Sequence, residues 1–370
     1  MSLFEHLKLI EDPRSHINLD HDLVDIIFLV LAAIASGCDG WQAIEEFGKE
    51  NLSWLRKHRD FDKGIPTRHS IARIIKVIDT EILVLTLFRW ANSLRETSSK
   101  PLIAIDGKTL RGAVNQNGAK NALHLVSAFD TEQGIVLYQQ DTQTKGNEIA
   151  TVQALLHMLD IKDAVVTFDA LHCQRETLQQ IIKAKGDYVV QVKGNQPLLR
   201  QAIEMQFQPH WDNDGVGIVD NDKGHGRKER RTTFQVPATL PQALAKKWPS
   251  AKSLIAVERQ RKHKGVTTIN TDYYLSSLPL DIELAAKAVR QHWHIENQQH
   301  WVLDVTFRED CSRIGDRENA KKMALFRRIV LNLLEQHPLK ASKPAKIRKA
   351  AWNGDFRSEI FLGARLEDHR

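Results

Sequence analysis

AVVTFDALHCQRETLQQIIKAKGDYVVQVKG (164–194) is the stretch of this chain that decides its fold. It opens with an apolar, β-branched run that ends at Asp169, continues with a helical pattern over 173–186, and closes with a second apolar run over 187–194. Short apolar runs bounded by polar residues are typical of buried strands, and two such strands joined by a helix form a parallel pair. The stretch therefore predicts a strand, a helix and a strand of an α/β protein.

The sequence upstream adds three strands and a helix. PLIAID (101–106), ALHLVSAFD (122–130) and GIVLYQQ (134–140) are predicted strands, and a helix is predicted from Glu148 to about Asp160. Three strands, a helix, a strand, a helix and a strand is the element order of the ribonuclease-H-like fold. That fold next requires a helix, but about seventy residues of mostly strand-like sequence come first. We therefore predict an α/β fold with a ribonuclease-H-like core over 96–208 and 280–336 and an inserted β-rich segment over 209–279.

The flanking regions are predicted to differ from this core. Residues 1–95 are predicted to form a helical N-terminal domain, with LVDIIFLVLAAIAS (23–36) as a buried helix and Thr67 as the N-cap of another. Such a domain is compatible with DNA binding and equally with a structural or dimerising cap. Helices are also predicted over 278–307 and 318–336, and 337–370 is predicted to be a basic C-terminal tail that is mobile or faces DNA.

Charge is unevenly distributed along the chain. The formal net charge is +6, but residues 311–370 hold fourteen Lys and Arg against seven acids, and KGHGRKERR (223–231) is a second basic cluster. This distribution is compatible with a polyanionic partner such as nucleic acid, and also with a charged, soluble surface.

Cysteine usage and hydropathy exclude several classes of protein. Cys38, Cys173 and Cys311 are odd in number and form no CxxC pair, which argues against a disulfide framework or a thiolate zinc site and fits a reducing cytosol. The longest apolar run is too short to cross a bilayer, and the N-terminus does not have the pattern of a signal peptide. We expect no association with a membrane.

Three carboxylates in separate segments suggest a chemistry. Asp106 in AIDGKTLRGA (104–113) and Asp169 in VVTFDALHCQ (165–174) each end an apolar run, whereas Glu296 lies in the helical pattern of RQHWHIENQQHWVLDVTFRED (290–310). Oxygen ligands gathered from two strand ends and one helix suit a pair of hard cations that activate water against a phosphodiester. Each strand-end acid could instead be a turn cap.

A phosphate-binding loop and a zinc site are two other interpretations of these segments. Gly107, Lys108 and Thr109 do not complete a phosphate-binding loop, because position 102 is Leu where the motif needs Gly. A zinc site remains an alternative for the helical stripe of residues spaced four apart, although its spacing is not that of zinc proteases. The members of this stripe are His292, Glu296, His300 and Asp304.

Several basic residues are candidates for contact with DNA phosphates. Lys108 and Arg111 follow the first acid closely, while His225 and Arg227 lie in a glycine-rich turn that could equally be a plain hairpin. Arg290 lies six residues before Glu296 and is included with them.

Ordered blocks over nearly the whole chain resemble a known family. AIDGKTLRGA, FDALHCQ, YVVQVKGNQP, GHGRKERR, YYLSSL and RQHWHIENQQHWVLDVTFRED are similar to the blocks of the bacterial insertion-sequence transposases called the ISAs group, which includes the H-repeat-associated proteins found beside Rhs elements. Two departures are Gln299, where the family pattern is usually apolar, and the six-residue separation of Arg290 from Glu296, where related transposases have four.

This resemblance implies a DDE transposase with a ribonuclease-H-like fold. It implies that Asp106, Asp169 and Glu296 are catalytic and bind Mg²⁺ or Mn²⁺, with two ions in the site. The implied partner is double-stranded DNA at the ends of a mobile element, bound by a homodimer in the bacterial cytoplasm, in association with the nucleoid. A metal-dependent nuclease that does not transpose and a catalytically inactive DNA-binding relic remain as alternatives.

Overall fold

The structure, a computed structural model, describes residues 2–15, 19–95, 100–110, 123–142, 147–212, 217–224 and 227–363. It is a mixed α/β protein in which one large sheet of nine strands is surrounded by helices. The predicted α/β class is confirmed at this level.

The N-terminal part is helical, and its centre is the apolar run predicted to be buried. All thirteen residues of the helix Leu23–Ala35 are buried, which confirms that prediction. Thr67 accepts a hydrogen bond from the backbone N–H of Ser70 and begins the helix Arg68–Val77, as predicted. The helices of this part are α1 Leu3–Leu7, α2 Leu23–Ala35, α3 Trp41–Glu50, α4 Leu52–Leu55, α5 Arg68–Val77 and α6 Thr80–Ser93.

Five strands and two helices follow in the predicted order. They are β1 Leu102–Leu110, β2 Leu123–Asp130, β3 Ile135–Thr142, α7 Glu148–Met158, β4 Val165–Phe168, α8 Arg175–Lys183 and β5 Asp187–Val192. Their order in the sheet is β3-β2-β1-β4-β5; β1, β4 and β5 are parallel, and β2 and β3 are antiparallel to their neighbours. β4 and β5 are buried over nearly their whole length, which is why apolar residues dominate both sequences.

The strand-like segment predicted as an insertion extends this same sheet. After α9 (Pro197–Asp212) come β6 Ile218–Gly224, β7 Arg227–Pro237, α10 Gln242–Lys247, β8 Ser253–His263 and β9 Val266–Ser276. β9 pairs antiparallel with β5, so the complete order is β3-β2-β1-β4-β5-β9-β8-β7-β6. Lys264 and Gly265 both have positive φ and form the tight turn between β8 and β9, a conformation that favours glycine.

The long helix predicted over 278–307 is interrupted. It consists of α11 (Ile282–His292), a π-helical turn (Ile295–His300) and α12 (Trp301–Val305). Two short 3₁₀ turns are also present: Ala170–His172 follows β4, and Glu309–Cys311 follows α12. The helix predicted over 318–336 is confirmed as α13 (Arg317–Gln336).

The C-terminal region predicted as a mobile or DNA-facing tail is folded against the N-terminal helices as far as residue 363. It forms α14 (Lys343–Trp352) and α15 (Gly354–Leu362), and the Trp54 indole N–H donates to the Gly354 carbonyl at 2.8 Å. Ile347, Phe356, Ile360 and Phe361 are buried. The ammonium group of Lys346 donates to the carbonyls of Leu334 and His337 near the end of α13. The basic character of this segment is thus partly used to satisfy a helix C-terminus.

None of the helices within the described ranges combines the length and apolar character needed to traverse a lipid bilayer.

Candidate active site

Asp106 and Asp169 lie side by side on adjacent parallel strands. Ala104 of β1 pairs with Thr167 of β4, so each aspartate is two residues beyond a paired position. Neighbouring strands are about 4.8 Å apart, which brings the two side chains to the same edge of the parallel sheet. Asp106 is within β1 and does not end it, because β1 continues beside β2 to Leu110 after β4 has ended.

Local hydrogen bonds fix the backbone around Asp169. Its Oδ1 accepts from the backbone N–H of Leu171 at 3.0 Å and so begins the 3₁₀ turn after β4. The loop after β5 is tied to this turn, since the Asn195 amide donates to the Ala170 carbonyl and the Gln196 amide donates to the Cys173 carbonyl. The carboxyl ends of β4 and β5 are therefore held together.

Glu296 reaches the same region from the π-helical turn, which contacts β1. Two histidines on the flanks connect this helix to the strands: His292 Nδ1 lies 2.9 Å from Thr167 Oγ1, and His300 Nδ1 lies 3.5 Å from Asp106 Oδ2. Burial lowers the pKa of His292 to about 4 and that of His300 to about 3, so both imidazoles are neutral near pH 7.

The three acids share an electrostatic environment. Burial, with the negative charges of Asp169 and Glu296, raises the pKa of Asp106 to about 7. Burial also raises the pKa of Glu296, and nearby Lys193 opposes this effect. A carboxylate whose neighbours are acids at a partly dry site is stabilised in its charged form by a cation.

A buried carboxylate behind the aspartates was not identified from the sequence as part of the site. Glu148 Oε2 is 2.6 Å from His124 Nε2, and its Oε1 is 3.1 Å from His172 Nε2. Burial alone would raise the pKa of Glu148, but the hydrogen bonds from the two imidazoles outweigh it and hold the pKa at about 2. Glu148 packs against the backbone of Gly107 and links β2, β1 and the turn after Asp169. Glu148 is in the first turn of α7, where the helix dipole favours any acid. The sequence therefore gives no sign that this carboxylate belongs to the site.

Lys108 does not have the role predicted for it. Its side chain is 7% exposed, its ammonium group forms an ion pair with Asp304, and carboxylate oxygens of Glu309 and Asp310 lie 3.6 and 3.7 Å away. Glu309 is also buried and pairs with Arg328 at 2.6 Å. Lys108 is two residues from Asp106 on the same face of β1, but these acids neutralise its ammonium group inside the protein, so its charge is not available to a DNA phosphate.

The structure describes only some of the other residues that were predicted to contact DNA. Arg290 is half-buried, and its guanidinium lies 3.6 Å from Asp220 and 3.2 Å from Asp222 of β6. Arg111 and His225 lie outside the described residues. Arg227 begins β7, but its side chain is not among those described.

The alternative zinc stripe is not assembled. His292 faces Thr167, His300 faces Asp106 and Asp304 faces Lys108, so its members have separate partners. The π-helical turn between them changes the angular spacing that a regular helix would give. Within the described part of the chain, no three His, Cys, Asp or Glu side chains are grouped closely enough to hold a metal ion.

Comparison with known proteins identifies the family. The model of the family described as Transposase DDE domain matches residues 97–333, and that described as DDE_Tnp_1-associated matches residues 4–91. The chain belongs to the DDE transposase family.

Relatives of this DDE transposase cover nearly its whole length. It is 37% identical to "Putative transposase YncI" of Escherichia coli O157:H7, over 97% of this chain and 94% of that protein. It is 35% identical to "H repeat-associated putative transposase YhhI" of Escherichia coli (strain K12), over 98% of each. The resemblance to H-repeat-associated proteins is thus confirmed.

Two further matches are a relative aligned over a short part of the chain and a solved structure. "Inactive transposase YbfQ" of Escherichia coli (strain K12) is 40% identical over 20% of this DDE transposase and 87% of that protein. A solved structure titled as a piggyBac transposase synaptic complex with hairpin DNA aligns with a TM-score of 0.41 and 11% identity, over 99% of this chain and 78% of that one.

Proposed function

We propose that this protein is an active transposase that cuts double-stranded DNA at the ends of a mobile element and joins the freed ends to new DNA. Its catalytic core would be ribonuclease-H-like and formed by 96–208 and 280–336, with 209–279 as the β-rich insertion. Asp106, Asp169 and Glu296 would be the catalytic acids, and the protein would work in the bacterial cytoplasm, at the nucleoid.

The observation that carries this proposal is the pairing of Ala104 with Thr167. It sets Asp106 and Asp169 on neighbouring parallel strands, and the turn that bears Glu296 contacts the first of those strands. Three acids from two strands and one helix, with the raised pKa of Asp106, are the arrangement expected for acids that share divalent cations.

The residues present fit Mg²⁺, or Mn²⁺, as the cofactor. All three donors are carboxylates, which hard cations prefer. Burial and the neighbouring negative charges raise the pKa of Asp106, and a bound cation would favour its charged form. Mg²⁺ commonly uses only one or two protein carboxylates and completes its shell with water and substrate phosphate, so an assembled protein cage is not required. Two bound ions would supply an activated water and would neutralise charge on the phosphate.

The surrounding residues position these acids. The backbone N–H of Leu171 holds Asp169, and neutral His300 lies beside Asp106 without adding a charge that would compete with a cation. Glu148 supports the backbone at Gly107 from below. These contacts would hold the two aspartates in place before DNA binds, and catalysis of phosphoryl transfer depends on such positioning.

Contacts with the DNA backbone would come from basic residues. Arg111, His225, Arg227 and Arg290 remain the proposed phosphate contacts, and the N-terminal domain is proposed to bind DNA as well. Two copies of the chain are proposed to act on the two element ends.

A plasmid assay tests the proposal. Wild-type protein should nick supercoiled plasmid with Mg²⁺ or Mn²⁺ and not with EDTA, whereas Asp106→Asn, Asp169→Asn and Glu296→Gln should lose at least about 100-fold in rate while still binding DNA. Glu283→Gln is the matched control, because Glu283 is an exposed acid of α11, close in sequence to Glu296.

The same assay distinguishes the alternatives. Wild-type protein that binds DNA but never nicks it would indicate an inactive relic. Nicking without joining of a 3′-hydroxyl end to target DNA would indicate a nuclease. Glu296→Gln protein that nicks at the wild-type rate would refute the assignment of the third acid.

A further inference from the structure

The outer strands of the sheet carry a row of lysines on one face. Lys223 of β6 pairs directly with Lys228 of β7, and Lys228 pairs directly with Lys262 of β8. Paired residues on antiparallel strands point to the same face, with Cβ atoms about 4.5–5.5 Å apart. We call Lys223, Lys228 and Lys262 the lysine row.

The lysine row is exposed and its charge is uncompensated. All three side chains are exposed, and none has an ion-pair or hydrogen-bond partner among the described residues. Arg230, two residues along β7 on the same face, is also exposed and forms no ion pair with any side chain that the structure describes. The acid on the same face of the described strands is Glu258, which lies four residues along β8 from Lys262. Like charges directly opposite each other destabilise a sheet, so this arrangement costs stability in the free protein.

The opposite face of the same strands carries a network of ion pairs. There Arg231 pairs with Glu229 and Asp220, Arg259 pairs with Asp272, and Arg290 of α11 reaches Asp220 and Asp222. This face packs toward α11, which leads to the turn bearing Glu296. Arg261 of β8 is also exposed on this face, but the cations that lie directly opposite one another, Lys223, Lys228 and Lys262, are on the face that points away from α11.

We infer that the lysine row binds the phosphate backbone of duplex DNA. This surface is separate from the one at which the catalytic acids would hold the DNA strand that is cut. The row spans two interstrand spacings, about 10 Å, and a duplex strand presents about three phosphates over that length. Lysine is a flexible point charge, so the contact would position DNA independently of its base sequence. The inference rests on the proposed function, because it takes DNA as the substrate of the same protein.

Salt dependence of binding tests the row. Affinity for a short labelled duplex of arbitrary sequence would be measured in EDTA over a series of salt concentrations. Lys228→Gln/Lys262→Gln should make the plot of log affinity against log salt shallower by about 1.8, since each lost phosphate contact contributes about 0.9. The control Lys162→Gln/Lys183→Gln removes the same charge at exposed positions before β4 and at the end of α8, and its slope should equal that of wild type.

A charge reversal separates lost binding from lost folding. Lys228→Glu sets an acid between Lys223 and Lys262, so it should raise Tm while weakening DNA binding more than the double Gln variant does. A Tm that falls, or a salt slope no shallower than that of the Lys162→Gln/Lys183→Gln control, would overturn the inference. Tighter binding of single-stranded RNA than of duplex DNA by the row would also overturn it.

Failure of this inference is distinguishable from failure of the proposed function. The salt slope is measured without metal and needs no cleavage, whereas plasmid nicking needs Mg²⁺ and the catalytic acids. Nicking with an unchanged slope would refute only the lysine row, and a changed slope without nicking would refute only the catalytic proposal.

Discussion

Replacing Gly107 with alanine should destabilise the protein through its contact with Glu148. A Cβ at position 107 would lie 2.6 Å from Oε1 and 2.8 Å from Cδ of Glu148, well inside the 3.4 Å at which ordinary contact begins. Glu148 cannot move freely, because it is buried and bound to His124 and His172. Displacement away from Gly107 should first break the longer contact, that with His172 at 3.1 Å.

The magnitude follows from the hydrogen bond that is lost. A hydrogen bond to a charged group contributes about 1.5–3 kcal/mol, and overpacking of a core typically costs about 1–3 kcal/mol. We therefore expect Gly107→Ala to lower the free energy of unfolding by about 2–3 kcal/mol. With an unfolding entropy of about 2.1 cal/mol/K per residue over 370 residues, this corresponds to a Tm lower by roughly 3–4 °C.

Thermal unfolding in metal-free buffer at pH 7 measures the effect. Gly194→Ala is the matched control, because a Cβ there meets open space and the backbone is not in the left-handed region. Glu148→Asp in the Gly107→Ala background withdraws the carboxylate by one methylene, so the double variant should lose less stability than the two single changes added together. Equal Tm values for Gly107→Ala and Gly194→Ala would refute the role assigned to Glu148.

Three further outcomes are expected. The pKa of Glu148 is lowered from 4.5 to about 2, which corresponds to a stabilisation of roughly 3 kcal/mol at 1.36 kcal/mol per pKa unit. This stabilisation is complete above pH 4.5 and is lost as the pH falls toward 2. The difference in unfolding free energy between wild type and Glu148→Gln should therefore close over that range in acid unfolding curves. Mg²⁺ should raise the Tm of wild-type protein at pH 8 and leave that of Asp106→Asn unchanged; an equal rise in both would place the bound ion elsewhere. Phe361→Ala should lower the free energy of unfolding by about 3–5 kcal/mol, because the ring of Phe361 is buried 5.3 Å from that of Phe28. Leu362→Ala, at the exposed neighbouring position, should change it little. Equal melting curves for the two variants would mean that α15 contributes no stability.

The sequence by itself determined the elements whose signals are local. The apolar run of α2, the N-cap at Thr67, the strands and helices between β1 and β5, and α13 all follow from periodicity and capping within about twenty residues. The two candidate aspartates could also be chosen this way, because an acid directly after an apolar run is a local pattern. The family was identified from ordered motifs, which are equally a property of the linear sequence.

Only the tertiary structure decided which charges face one another. Lys108 looks like a phosphate contact in sequence, but three acids of residues 304–310 neutralise it inside the core. Glu148 looks like an ordinary first-turn acid, yet β2 and the turn after β4 supply its histidines. The basic segment after 337 folds as α14 and α15, and the inserted strands join the central sheet through β5. Hydrophobic periodicity predicts that one face of an element is buried, but not which element packs against that face. An ion pair depends on residues that are distant in sequence. These features therefore could not be deduced from local patterns.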